Sequence, residues 1–146
     1  MPSVALRPPI VAALSGSYRT GSLNSKLLRF AATLLKTKGS DVRILDLGQY
    51  RLPVFDEDQE AASFPEGAAM LKADLKAADG LLIASPEYNG FPTPALVNAI
   101  TWATRGEGGM YDAFQGKVGA VLSCSPGPMG GIRGLGPTRG LLQSCG

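Results

Sequence analysis

The stretch Ser15 to Ser22 contains most of what an anion site needs: glycines at 16 and 21, the hydroxyls of Ser17, Thr20 and Ser22, and the guanidinium of Arg19. Phosphate binds where backbone N–H groups cluster at a helix N-terminus, where hydroxyls can donate, and where arginine can offer two donors at once. The same residues also make an ordinary polar turn with Ser22 as a helix cap, so an anion site and a simple cap compete at this position. Two familiar phosphate motifs are excluded, since neither Gly-x-x-x-x-Gly-Lys-Ser/Thr nor Gly-x-Gly-x-x-Gly can be read here. A cysteine-based phosphatase loop is excluded too, because the first cysteine is Cys124.

A second segment, Pro86-Glu87-Tyr88-Asn89-Gly90-Phe91-Pro92, combines restricted backbones with an aromatic and with Asn89-Gly90, a pair suited to positive φ. Amides held this way can face the edge of a planar ring; a tight connection covered by Tyr88 and Phe91 accounts for the same residue types. A third segment, Pro126 to Gly131, is glycine-rich. Histidine is absent, and Cys124 and Cys145 lack metal-ligand spacing, so neither a zinc site nor a Cys-His catalytic pair can be assembled. Cys124 reads as a small buried hydrophobe, Trp102 as core or subunit contact, and Glu57, Asp58 and Glu60 as a solvated loop face.

These segments need elements to hold them, and the hydrophobic pattern supplies alternating strands and helices. Ile10 to Leu14 is a continuous apolar run, as in a strand buried on both faces; Leu23, Leu27, Phe30, Ala31 and Leu34 then recur at helical spacing up to a stop at Gly39. Val42 to Leu47 reads as a second strand and Gly48 to Ala62 as a long acidic connection. Ser63-Phe64-Pro65-Glu66 offers a capping box with proline at the first helical position, opening a second helix that stops at Gly80. Leu81 to Ala84 is a third strand, Pro94 to about Arg105 a third helix capped by Thr93, and Lys117 to Cys124 a fourth strand. The final segment, Ile132 to Cys145, has a weak helical pattern opposed by Gly134, Gly136, Pro137 and Gly140. The order describes a parallel sheet covered on both faces, with the three special loops following strands, where such sheets bind ligands.

At 146 residues with 45% hydrophobic composition, the chain suits a single domain. Its formal charge of +2 is dispersed, which predicts neither nucleic acid nor an acidic membrane as partner. No apolar run approaches a bilayer span and the first residues do not fit a signal peptide, so a cytoplasmic protein with reduced thiols is expected.

Taken together, Gly16-Ser17-x-Arg19-x-x-Ser22-x-Asn24 and Pro86-Glu87-Tyr88-Asn89-Gly90-x-Pro92-x-x-Leu96-x-Asn98-Ala99-Ile100-x-Trp102 resemble the NADPH-dependent FMN reductase family, from about Ile10 to Gly131. The resemblance implies a flavodoxin-like α/β fold, a doubly wound parallel sheet of order 2-1-3-4-5, of which four strands, 2-1-3-4, are found here and the fifth is missing, as if the domain were shortened at its C-terminus. It implies FMN with Ser17, Arg19, Ser22, Leu23 and Asn24 around the phosphate, and Pro86, Glu87, Tyr88, Asn89 and Gly90 along the isoalloxazine, largely through main-chain groups. Ser123 or Ser125, with Gly127, would approach from the third loop. The implied chemistry is hydride transfer from NADPH or NADH to flavin N5 and on to a quinone or other small-molecule electron acceptor, in a homodimer or homotetramer. The cofactor carries the hard step, so no side chain need serve as a catalytic acid or base. A non-enzymatic flavin carrier, or an interaction protein with an impaired flavin site, remains the alternative.

Overall fold

The computed structural model describes residues 7–146. Eleven elements follow one another as β1 (Ile10–Ser15), α1 (Leu23–Thr37), β2 (Asp41–Leu45), α2 (Glu57–Ala62), α3 (Glu66–Lys76), β3 (Gly80–Ala84), β4 (Glu87–Tyr88), β5 (Phe91–Pro92), α4 (Pro94–Ala103), β6 (Val118–Leu122) and α5 (Ile132–Gln143). Four strands pair in parallel in the order β2-β1-β3-β6, the expected 2-1-3-4 topology, and β4 and β5 form a separate antiparallel pair. Register runs evenly through the centre: Ala13 lies opposite Ile44 on one side and Leu82 on the other, and Leu82 lies opposite Ala120.

The sheet is covered on both faces. On one face, Leu14, Leu81 and Ile83 pack with Leu71 and Leu75 of α3 and Leu96 and Ile100 of α4. On the other, Ala13, Leu82 and Ala84 pack against Leu28 and Ala32 of α1. Each large aliphatic side chain removed from water contributes about 1.5–3 kcal/mol. The central strands carry these continuous apolar runs because both their faces are covered. At the edges the pattern relaxes: Ile44 of β2 is exposed, as are Val118, Gly119 and Ala120 of β6.

Several sequence expectations change. The acidic connection contains α2, so Glu57, Asp58 and Glu60 lie on a helix rather than in a loop; Asp56 caps it by accepting from the N–H groups of Asp58 (2.8 Å) and Gln59 (3.3 Å). Negative charge in a first turn suits the helix dipole. The capping box at Ser63 does not form. Ser63 instead ends α2, with its N–H on the Gln59 carbonyl, and Pro65 sits at the cap position of α3, one residue before the first helical turn. The second strand ends at Leu45, because Asp46 turns the chain by accepting from Gly48 N–H at 3.0 Å.

Ile132 to Gln143 is helical despite its glycines and Pro137. Its C-terminal half is anchored by apolar contact, Leu141, Leu142 and Cys145 packing into the α3–α4 side of the core. Gly134 is required by close approach: a Cβ there would meet Glu87 Cβ at 2.7 Å. Tertiary packing thus overrides weak intrinsic propensity.

The sheet's amino-terminal end is clasped by Asp79, whose carboxylate accepts two hydrogen bonds from Arg7 at 2.7 Å and one from Ile10 N–H at 2.8 Å. The Arg7 hydrogen bonds, with that from Ile10, hold the Asp79 carboxyl down at about 2, against an ordinary value of 3.8. A depressed carboxyl stabilises the fold above its unfolded value and loses that contribution as pH falls through its folded one. Unfolding by urea across this range is therefore expected to show stability falling between pH 3.8 and 2, with a shallower fall in Asp79→Asn.

Candidate functional site

Three loops gather at the carboxyl ends of β1, β3 and β6: residues 16–22, 85–93 and 123–131. The first begins where β1 ends against β3, with Gly16 N–H on the Ala84 carbonyl at 2.9 Å. Gly16 has no room for a side chain, since a Cβ would stand 2.2 Å from Ser85 Oγ. The chain then runs over the surface through Ser17, Tyr18, Arg19 and Thr20 and enters α1 at Ser22. Ser22 is buried and its Oγ accepts from Ser25 N–H at 3.3 Å, the N-cap arrangement expected from the sequence.

The donors of this loop are largely free. Among the described residues, the N–H groups of Ser17, Thr20, Gly21 and Leu23 make no hydrogen bond within the protein, and Arg19 has no carboxylate partner. Ser17 Oγ accepts from Arg19 N–H at 3.3 Å, which curls the loop and leaves the Ser17 O–H to donate. Unpaired N–H groups at the start of a 15-residue helix, with one free guanidinium, form a donor set that fits a phosphate; the Asp46 carboxylate borders the same loop but makes no ion pair with Arg19.

The second loop is built on a two-residue turn. Asn89 and Gly90 both have positive φ, +57° and +79°, and reverse the chain between β4 and β5, as a type I′ turn requires. Tyr88 and Phe91 on either side are exposed, and Tyr88 faces a cleft of about 460 Å³ whose other walls include Ser17, Tyr18, Arg19, Leu52 and Val54. Burial, and secondarily the Asp46 carboxylate, pushes the Tyr18 phenol up, so Tyr18 remains a neutral donor.

Leu52 and Val54 reach this cleft because α4 holds the connection before α2. The Pro53 carbonyl accepts from both Asn98 Nδ2 and Trp102 Nε1 at 2.8 Å, and Phe55 N–H donates to Asn98 Oδ1 at 2.8 Å. Trp102 is fully buried, with the rings of Phe55 and Phe64 packed edge-on to it. Asn98 and Trp102 thus fix a wall of the cleft from behind, as the structural reading of Trp102 anticipates.

The loops are bonded to one another. Thr93 Oγ1 donates to the Gly16 carbonyl at 2.6 Å, joining the second loop to the first. Asn24 is buried and closes a reciprocal pair with Cys124, its Nδ2 donating to the carbonyl at 2.9 Å and its Oδ1 accepting from the N–H at 3.0 Å. This pair ties α1 to the third loop. Glu87 joins the second loop to α5: its carboxylate accepts from Arg133 Nε at 2.9 Å and from Gly134 N–H at 2.7 Å, capping a helix whose own cap residue, Gly131, has no side chain.

The sequence-predicted residues therefore divide by position. Ser17, Arg19 and Tyr88 share the cleft, Leu23 starts α1 beside it, and Pro86, Asn89 and Gly90 shape the turn that presents Tyr88. The side chains of Ser22, Asn24 and Glu87 are engaged in capping and loop-to-loop bonds. In the third loop Ser125 Oγ donates to the Gly127 carbonyl at 3.3 Å, whereas Ser123 Oγ is buried against Gly131 without a hydrogen-bond partner. Sequence reasoning missed Tyr18, Leu52 and Val54 as cleft residues and the link from Thr93 to Gly16. The Thr-Pro pair signals the cap of α4, and the apolar run Leu52-Pro53-Val54-Phe55 within an acidic connection is the signal for the cleft wall.

A family model described as NADPH-dependent FMN reductase matches residues 9–146. The chain belongs to this family. It is 37% identical over 123 residues to an NAD(P)H-dependent FMN reductase of Pseudomonas aeruginosa, covering 84% of this chain and 63% of that one. It is 36% identical over 131 residues to an NADPH:quinone oxidoreductase of Arabidopsis thaliana, covering 87% and 64%. Among solved structures it superposes on FerB, a flavoenzyme NAD(P)H:(acceptor) oxidoreductase from Paracoccus denitrificans, with a TM-score of 0.82 and 32% identity, over 94% of this chain and 72% of that one. The chain spans a little under two thirds of the length of these two curated relatives. The flavodoxin-like assignment of the fold is thereby established.

The Asn24 pair gives a direct check on how the loops are held. Asn24→Ala leaves the backbone N–H and C=O of Cys124 without their partners, which costs roughly 1–3 kcal/mol where such groups are shielded from water. Urea unfolding should show a lower midpoint at unchanged slope. Asn24→Asp should also destabilise, because a carboxylate can accept from Cys124 N–H but cannot donate to its carbonyl.

Proposed function

We propose that this chain binds FMN across the three loops and acts as an NAD(P)H-dependent oxidoreductase, passing hydride from NADPH or NADH to quinones or other small oxidants. The observation that carries this reading is the set of free backbone donors around unpaired Arg19, which together with Ser17 also lines the cleft faced by Tyr88. Relatives named as FMN and quinone reductases support the choice of cofactor and acceptor class.

When bound, FMN supplies the centre that accepts and gives up hydride. The protein's part is binding and orientation. Arg19, Ser17 O–H and the N–H groups opening α1 hold the phosphate. The backbone from Pro86 to Gly90, stiffened by its turn and by the Glu87 bonds to Arg133 and Gly134, lines the ring. Leu52, Val54 and Tyr88 form apolar walls suited to flat, poorly hydrated molecules, and no side chain is needed to move a proton. The exposed Tyr88, Phe91, Met129 and Ile132 support a second copy packing near the site, as a homodimer or larger homo-oligomer. Among the described residues no helix is long and apolar enough to cross a membrane, and we place the protein in the cytoplasm.

The test is to purify the chain, record the flavin spectrum, and follow NADPH oxidation with benzoquinone present. Stoichiometric FMN and acceptor-dependent turnover are expected; FMN retained without turnover would remove the enzyme reading. Arg19→Ala should weaken FMN binding by roughly tenfold or more, the scale of a charge-assisted hydrogen bond, and should reduce its salt dependence. Fluorescence titration at two ionic strengths measures both.

A further inference from the structure

We propose that Thr93 is a positioning residue for the cofactor phosphate, acting through the peptide bond between Gly16 and Ser17. The proposal rests on the FMN reading and adds the device that aims the first loop.

Thr93 is 1% exposed and its hydroxyl has two partners: it accepts from Leu96 N–H at 3.2 Å and donates to the Gly16 carbonyl at 2.6 Å. Neither role can reverse, because an amide N–H only donates and a carbonyl only accepts. The hydroxyl proton therefore points at Gly16. A helix cap needs only the accepting half of this arrangement. The donating half does something else.

In a planar trans peptide the C=O and the following N–H point in opposite directions. Holding the Gly16 carbonyl inward against Thr93 turns the Ser17 N–H outward, and this N–H is one of the free donors of the loop. The peptide has little freedom to rotate. A Cβ on Gly16 would meet Ser85 Oγ at 2.2 Å and Thr93 Oγ1 at 3.1 Å, so the second loop already packs against this unit. Gly16 N–H, on the far side of the residue, is fixed by the Ala84 carbonyl. With both ends of Gly16 pinned, Ser17 presents its N–H to the anion before the anion arrives, and the ordering cost of binding is reduced.

The experiment compares FMN with riboflavin, which lacks the phosphate, by fluorescence titration of the intact chain. The wild-type chain is expected to prefer FMN. Thr93→Val, which keeps the shape and loses the hydroxyl, should lose about fivefold of that preference, the scale of one hydrogen bond, with riboflavin affinity unchanged. Thr93→Ser should retain the preference. A purely structural role would weaken both flavins in proportion, leaving the ratio untouched, and that result overturns the proposal. So does a Thr93→Ser chain that loses as much preference as Thr93→Val. Where the valine chain does not fold, Thr93→Ala gives the same comparison. Equal binding of the two flavins by the wild-type chain would overturn the phosphate reading itself, and this assignment with it; full preference in Thr93→Val overturns the assignment alone.

Discussion

The reciprocal pair between the Asn24 carboxamide and the backbone N–H and C=O of Cys124 is the constraint on which the arrangement of the site depends. A carboxamide has one donating and one accepting end, and here both are used on the backbone of a single residue, its N–H and its C=O, fixing distance and orientation together. The pair joins the first turn of α1 to the loop leaving the edge strand. β6 is thereby held by the β3 ladder along its length and by α1 at its carboxyl end.

The other links follow the same logic. Thr93 binds the first loop to the second and Glu87 binds the second to α5. None of the three loops has a long ladder or a core of its own. Each takes its shape from bonds to its neighbours, and in the first loop those bonds leave most of the N–H groups free. Glu87 shows how closely structure and site are joined. Burial pushes its carboxyl up, but the bonds from Arg133 and from Gly134 N–H prevail and keep it below its ordinary value, so it remains ionised where it caps α5.

Much of this was readable from residue types. The apolar runs at Ile10 to Leu14 and Leu81 to Ala84 marked strands because both lie inside the sheet, and the loops after them stood out because glycine, serine and arginine there have no part in a core. What escaped notice was decided across the chain. Asn24 looked like a phosphate ligand, and only the fold brings Cys124 to its carboxamide. Ile132 to Gln143 looked unsuited to a helix, and what permits one is packing of Leu141 and Leu142 on a distant face. Asp56 before an acidic turn was the one local signal passed over, since the same charges suit a solvated loop.

The partners in these links are far apart in sequence: 100 residues for Asn24 and Cys124, 77 for Thr93 and Gly16, and 47 for Glu87 and Gly134. Closing each one requires a large loop entropy to be met before the contact contributes anything. The first helix and its glycine-rich entry are made before their partners Thr93 and Cys124, and the bonds that fix their shape wait for those residues. A nascent chain that has not yet made β6 and α5 holds the pieces of the cleft without the Asn24–Cys124 and Glu87–Gly134 bonds that join them.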